Sequence, residues 1–88
     1  MSSLRRDPTV LWRRSGRRVV LLPAGCAEPI VLDGIGRLVW ELLDEPTARE
    51  DLVDVLGEHF DESRDQVEVD LEPFLEELTG SGALTVGA

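Results

Sequence analysis

Lysine and tyrosine are absent from this sequence, and cysteine, histidine and methionine occur once each. These shortages exclude much chemistry. Without lysine there is no Schiff-base amine, and a single Cys and a single His leave few groups to serve as nucleophile or general base. Cys26 has no second cysteine with which to form an internal disulfide, and it lies in a Pro- and Gly-containing loop without a His–Asp set to activate it. His59 falls where a helix is expected to end, a place where a cation favours the helix dipole, so capping or solvation is its expected role. No Cys/His spacing suits a metal and the carboxylates lack calcium-loop order, so neither metal nor cofactor is expected. Gly34-Ile35-Gly36 lacks the longer glycine pattern and the lysine of a phosphate loop; its expected use is to let a helix begin close to a sheet. Long apolar runs are missing too. No stretch can be a signal peptide or a membrane helix, and a cytoplasmic location is expected.

What is present is a divided charge. All nine basic residues are arginine, and the formal net charge is -9. Residues 1–18 carry six arginines against Asp7 alone, a net +5, while the rest of the chain carries three arginines against seventeen carboxylates, a net -14. The acidic part is the part that reads as helical, which argues against a nucleic-acid partner, because a helix placed on DNA needs Lys or Arg to meet the phosphates. Acidic pairs such as Asp61-Glu62 and Glu76-Glu77 are expected to be solvated surface.

The 88 residues are read as a single domain, 1–88, of α+β class: a three-stranded antiparallel sheet followed by three helices, similar in outline to a winged helix-turn-helix. Residues 1–8 are expected to be flexible, 9–32 to form the sheet half and 33–82 the three-helix half. TVLWRR from Thr9 and RVVLLP from Arg18 flank the turn Ser15-Gly16 and predict a hairpin. After the loop PAGCAE, the run PIVL from Pro29 to Leu32 predicts a third strand, and Pro29, which cannot donate to a ladder, places it at a sheet edge. An open edge invites a partner strand.

The period then changes. LDGIGRLVWELL, Leu32 to Leu43, puts Ile35, Leu38, Val39, Leu42 and Leu43 at helical spacing around Trp40, with Asp33 as the expected cap. Glu45-Pro46 breaks the chain. Thr47-Ala-Arg-Glu50 predicts a capping box for a second helix with Leu52, Val53, Val55, Leu56 and Phe60 on its apolar face. Ser63-Arg-Asp-Gln66 predicts another for a third helix carrying Val67, Leu71, Phe74, Leu75 and Leu78, ended by Gly80 or Gly82. Pro73 lies inside that helix and predicts a bend between Val69 and Pro73. Ala83 to Val86 reads as a short returning strand or as cover for the core.

Three segments taken together resemble the PqqD-like family, the precursor-peptide recognition elements of ribosomally made, post-translationally modified peptides: LDGIGRLVWELLD from Leu32, TAREDLV from Thr47, and VEVDLEPFLEELTGSGAL from Val67 to Leu84. The resemblance extends over Val10 to Leu84 and departs from the family at Pro73, where a helix former is usual. It implies a non-catalytic domain that binds the leader segment of a precursor peptide as an added strand on the third strand, beside the third helix. Carried over by position, Pro29, Ile30, Val31 and Leu32 would offer the strand edge, and Val67, Asp70 and Phe74 would line the groove, with Leu71, Leu75 and Leu78 turned to the core. The implied partners are the precursor peptide and a separate leader protease, cyclase or radical S-adenosylmethionine enzyme. Both a lasso-peptide pathway protein and the peptide chaperone of pyrroloquinoline quinone synthesis fit; the Arg-rich hairpin and the PAGCAE loop favour the lasso type. A winged-helix DNA-binding protein is the rival, opposed by Asp65, Glu68, Asp70, Glu72, Glu76 and Glu77 against Arg64 alone on the third helix. A small enzyme is disfavoured by the residue inventory, and a homodimer through the open edge is a further arrangement the pattern allows.

Overall fold

The computed structural model describes residues 3–87. In chain order these form β1 (Ser3–Arg6), β2 (Leu11–Ser15), β3 (Arg18–Leu22), β4 (Ile30–Leu32), α1 (Gly34–Leu42), α2 (Arg49–Phe60), α3 (Arg64–Gly80) and β5 (Leu84–Gly87). The expected three-stranded antiparallel sheet is present in the order β2-β3-β4, with Val19 opposite Leu32 and Leu21 opposite Ile30. The hairpin turn uses Gly16 at φ 63°, a conformation that glycine adopts without a Cβ penalty. No helix among the described residues is long and apolar enough to cross a membrane.

The expectation of a flexible segment over 1–8 is corrected for Ser3–Arg6; residues 1–2 lie outside the described residues. β1 pairs antiparallel with β5 in a second sheet, Leu4 opposite Val86 and Arg6 opposite Leu84. On its other side Leu4 exchanges two backbone hydrogen bonds of 2.9 Å with Thr47. Leu4, buried between these partners, is the apolar contribution that holds so short and basic a strand.

Two caps also differ from expectation. Asp33 precedes α1 with no side-chain capping bond. Thr47 does not cap α2, whose N-cap is Ala48; because its backbone is committed to Leu4, its hydroxyl instead donates to the carbonyls of Leu42 (3.3 Å) and Glu45 (2.9 Å). At α3 the cap forms, the Ser63 hydroxyl accepting from the Gln66 amide at 3.3 Å, but the Gln66 side chain donates to Asp70 rather than back to the cap. Pro73 lies within α3 without ending it. Pro73 and Val69 are both on the exposed face, so the carbonyl that Pro73 leaves without a donor faces water.

One core unites the layers. Val19, Leu21 and Leu32 from the sheet meet Val39, Trp40 and Leu43, then Leu52, Val53 and Leu56, then Val67, Leu71, Leu75 and Leu78, all with 5% exposure or less. Val55 and Phe60, placed on the apolar face of α2 by spacing, are instead more than 40% exposed. Trp40 is fully buried and meets Trp12 edge to face with centroids 5.8 Å apart. The Arg6 guanidinium lies 4.7 and 4.8 Å from the two ring centroids and donates to the Trp40 carbonyl, while its remaining face pairs with Asp44 at 3.2 Å. Burial lowers the Arg6 pKa, opposed by the Asp44 carboxylate.

Candidate peptide-binding groove

Among the described residues β4 has one partner in its sheet, β3, so its other edge carries backbone groups with no described strand beside them. The register fixes the faces. Ile30 and Leu32 share a side with Val19 and Leu21 toward the core, whereas Val31, opposite Val20, turns outward and is 54% exposed. Across from this edge stands α3. Ile30, Val31, Leu32, Asp33, Ile35, Gly36, Phe74, Glu77 and Leu78 enclose a groove of about 230 Å³ between them.

Gly36 sets its width. A Cβ at this position would lie 3.0 Å from Phe74 Cε1 and 3.6 Å from Leu32 Cβ, so a glycine is what lets the first turn of α1 rest against the Phe74 ring and the end of β4. The expectation that the Gly-Ile-Gly segment brings α1 close to the sheet is thus met in one detail, with α3 supplying the surface approached. At the other end of the groove, the Cys26 thiol lies 3.5 Å from the Ser81 carbonyl, tying the loop before β4 to the end of α3. With Phe74 beside α1 and Ser81 beside the loop before β4, α3 runs antiparallel to β4.

Of the residues expected at the site, the structure brings together Ile30, Val31, Leu32 and Phe74. Pro29 is exposed and faces the outer side of the sheet, in a shallow depression with Leu11, Trp12 and Leu22. Val67 is 3% exposed and belongs to the core, near the point where a Cβ on Gly57 would meet it. Asp70 is exposed and accepts from Gln66 Nε2 at 3.0 Å, one helical turn short of the groove. The lining of α3 is therefore displaced one turn toward the C-terminus, to Phe74, Glu77 and Leu78. Asp33, Ile35, Gly36, Glu77 and Leu78 add to the expected lining; Leu78, a core position by its spacing and 1% exposed, is both core and groove floor. Cys26 and His59 lie outside the groove, and among the described residues no cluster of three His, Cys, Asp or Glu side chains could hold a metal ion.

A short strand with an unpaired edge, walled by an apolar helix face, defines a class of site: one that takes an extended segment by main-chain pairing and selects its side chains in the groove. The family model described as coenzyme PQQ synthesis protein D matches residues 18–84, most of the chain, and the protein belongs to the PqqD family. Comparison with curated proteins gives no match. Among solved structures the chain is similar to TbiB1 in complex with the TbiA(beta) leader peptide, at 30% identity and a TM-score of 0.81, with 91% of this chain and 93% of that chain covered.

Proposed function

We propose that this protein is a non-catalytic recognition element that captures the leader segment of a ribosomally made precursor peptide as a fourth strand on the free edge of β4. The observation that carries the reading is the open β4 edge facing the Phe74–Leu78 wall, in a fold closely similar to one whose structure holds a leader peptide. Main-chain hydrogen bonds to β4 supply affinity without regard to sequence. Alternate residues of the added strand fall on the side of Ile30 and Leu32, where Ile35, Phe74 and Leu78 offer them apolar surface, so the preferred segment has apolar residues two apart. The residues between them project to the outer face beside Val31.

The bound leader leaves the remainder of the precursor free for a separate enzyme: a leader protease, a cyclase or a radical S-adenosylmethionine enzyme. The Arg-rich hairpin and the PAGCAE loop favour a lasso-type pathway over that of the quinone cofactor. The carboxylates along α3 disfavour DNA binding, and the localisation that suits this role is cytoplasmic.

The test is titration of isotopically labelled protein with the leader half of a precursor encoded beside its gene, read by amide chemical shifts. Shifts at Ile30–Asp33 and at Phe74–Leu78 are expected. Shifts confined to other surfaces, or their absence at millimolar peptide, would overturn the assignment. Sedimentation without peptide distinguishes the one competing use of the edge, pairing between two copies of the chain.

A further inference from the structure

Asp33 lines a second concavity as well as the groove, and that concavity is chemically unlike the rest of an acidic protein. Arg17 and Arg18 from the β2–β3 turn, Asp33 and Gly34 from the end of β4, Arg37 and Leu38 from α1, and His59 and Phe60 from the end of α2 enclose a basin of about 740 Å³. Three arginines line it, and Asp33 is the one carboxylate among the lining residues. Their existing bonds are weak: Arg18 Nε is 3.8 Å from Asp33 with both side chains more than 60% exposed, and Arg37 Nε is 3.7 Å from Glu41. Among the described residues no carboxylate pairs with Arg17.

The placement gives this basin a use. Asp33, the residue after β4, lines both the groove and the basin, and Arg18 on the neighbouring β3 reaches it across the end of β4, so the basin opens where the edge strand ends. Toward the opposite end the groove is walled by Glu77 of α3. A chain lying on the β4 edge therefore meets a carboxylate along one part of its length and guanidinium groups just past the other.

Resting on the leader-binding reading, we propose that the basin is a carboxylate pocket that receives one or two Asp or Glu side chains of the bound peptide, immediately beyond the part paired with β4. Backbone pairing tells a peptide from its reverse only weakly, parallel pairing being slightly less stable per residue, and groove pockets for alternate apolar side chains add little. An acidic residue drawn to Arg17, Arg18 and Arg37, and repelled by Glu77, fixes the direction. The occupant is a short anionic segment, because a long polyanion would meet the net -14 of residues 19–88, where three arginines face seventeen carboxylates. Planar guanidinium groups suit carboxylates, which they can hold through two parallel hydrogen bonds.

The experiment is selection of a displayed library of random twelve-residue segments on the immobilised full chain, repeated with R17Q/R37Q and with R5Q/R13Q, which removes the same charge outside the basin. On the unaltered protein, alternating apolar residues are expected together with Asp or Glu concentrated at one end. R17Q/R37Q is expected to lose the acidic preference and keep the apolar one, and R5Q/R13Q to keep both. A selected acidic peptide should bind R17Q/R37Q about five- to tenfold more weakly, with the difference shrinking as salt is raised. Apolar alternation without an acidic end, or an acidic preference lost equally in R5Q/R13Q, would overturn the pocket and leave strand addition standing. No enrichment of any segment would remove strand addition and the pocket with it.

Discussion

At one edge of the three-stranded sheet, β2 presents Leu-Trp-Arg-Arg-Ser, five residues that are all exposed; at the other, β4 presents only Ile-Val-Leu. Arg14 on the β2 edge reaches Glu41 at 3.5 Å, Arg13 points to solvent, and Trp12 is held beneath the Arg6 guanidinium. Charged side chains of this kind blunt an edge, because pairing with another chain would have to desolvate them. β4 has no charged side chain within it, and an apolar helix face stands beside its open groups. The edge of β1 is closed in a third way, by the reciprocal bonds of Leu4 and Thr47. The difference is one of protection: charge covers the β2 edge and Thr47 covers β1, whereas the short β4 edge is left open beside α3.

The comparison breaks most directly at Phe74. Phe74→Ala removes the wall of the β4 groove and is expected to weaken leader binding by about 10- to 100-fold, whereas Trp12→Ala on the β2 edge leaves it within about twofold, both read by fluorescence polarisation. Equal losses would mean that the two edges do not differ in role. A change on the β2 side should act on stability instead. Arg6→Ala deletes the cation–π contacts with both tryptophans, the bond to the Trp40 carbonyl and the pair with Asp44, and is expected to cost about 2 kcal/mol in urea unfolding with leader affinity unchanged. Gly36→Ala sharpens the point at smaller scale. Its Cβ, 3.0 Å from Phe74 Cε1, displaces the ring by a few tenths of an ångström into the groove, so leader affinity should fall about three- to tenfold. Alanine is the better helix former by up to about 1 kcal/mol, which offsets the strain, so the melting temperature should hold while binding falls.

Local signals carried much of this architecture. The amphipathic spacing of Val39, Trp40 and Leu43, and of Leu71, Leu75 and Leu78, marks helices because each buries one continuous stripe, and Gly16 marks the hairpin because its turn needs a positive φ. What sequence could not show is non-local. β1 and β5 are four-residue strands from opposite ends of the chain; Ala83 to Val86 can be read as a returning strand, but its partner Ser3–Arg6, short and basic, has no strand pattern of its own. Thr47 has the pattern of a capping box, but Leu4 takes its backbone, a competitor more than forty residues away. In the groove, periodicity identifies the stripe of α3 that carries Val67, Phe74 and Leu78 alike. Which part of the stripe meets the β4 edge depends on α3 running antiparallel to β4, and that is a property of packing.

The smallest effect concerns how the protected β2 edge is reached. Asp7, in the connection from β1, accepts from the Thr9 hydroxyl and from the Thr9 amide at 2.8 Å, and these bonds, with Arg5 nearby, hold its carboxyl below its ordinary pKa. A carboxylate whose pKa is lower in the folded chain adds stability above its unfolded pKa, and that contribution is lost as the pH falls through the folded value. Asp7→Asn keeps an acceptor for both bonds and removes the charge. At neutral pH the variant should therefore melt slightly below the unaltered protein, and the gap should close in strong acid, where Asp7 is protonated in both states. Leader affinity should not follow this change, since Asp7 serves the approach to β2 and is remote in the sheet from β4. If affinity fell together with the melting temperature, the two edges would be coupled through the sheet, and the division of roles between them would have to be redrawn.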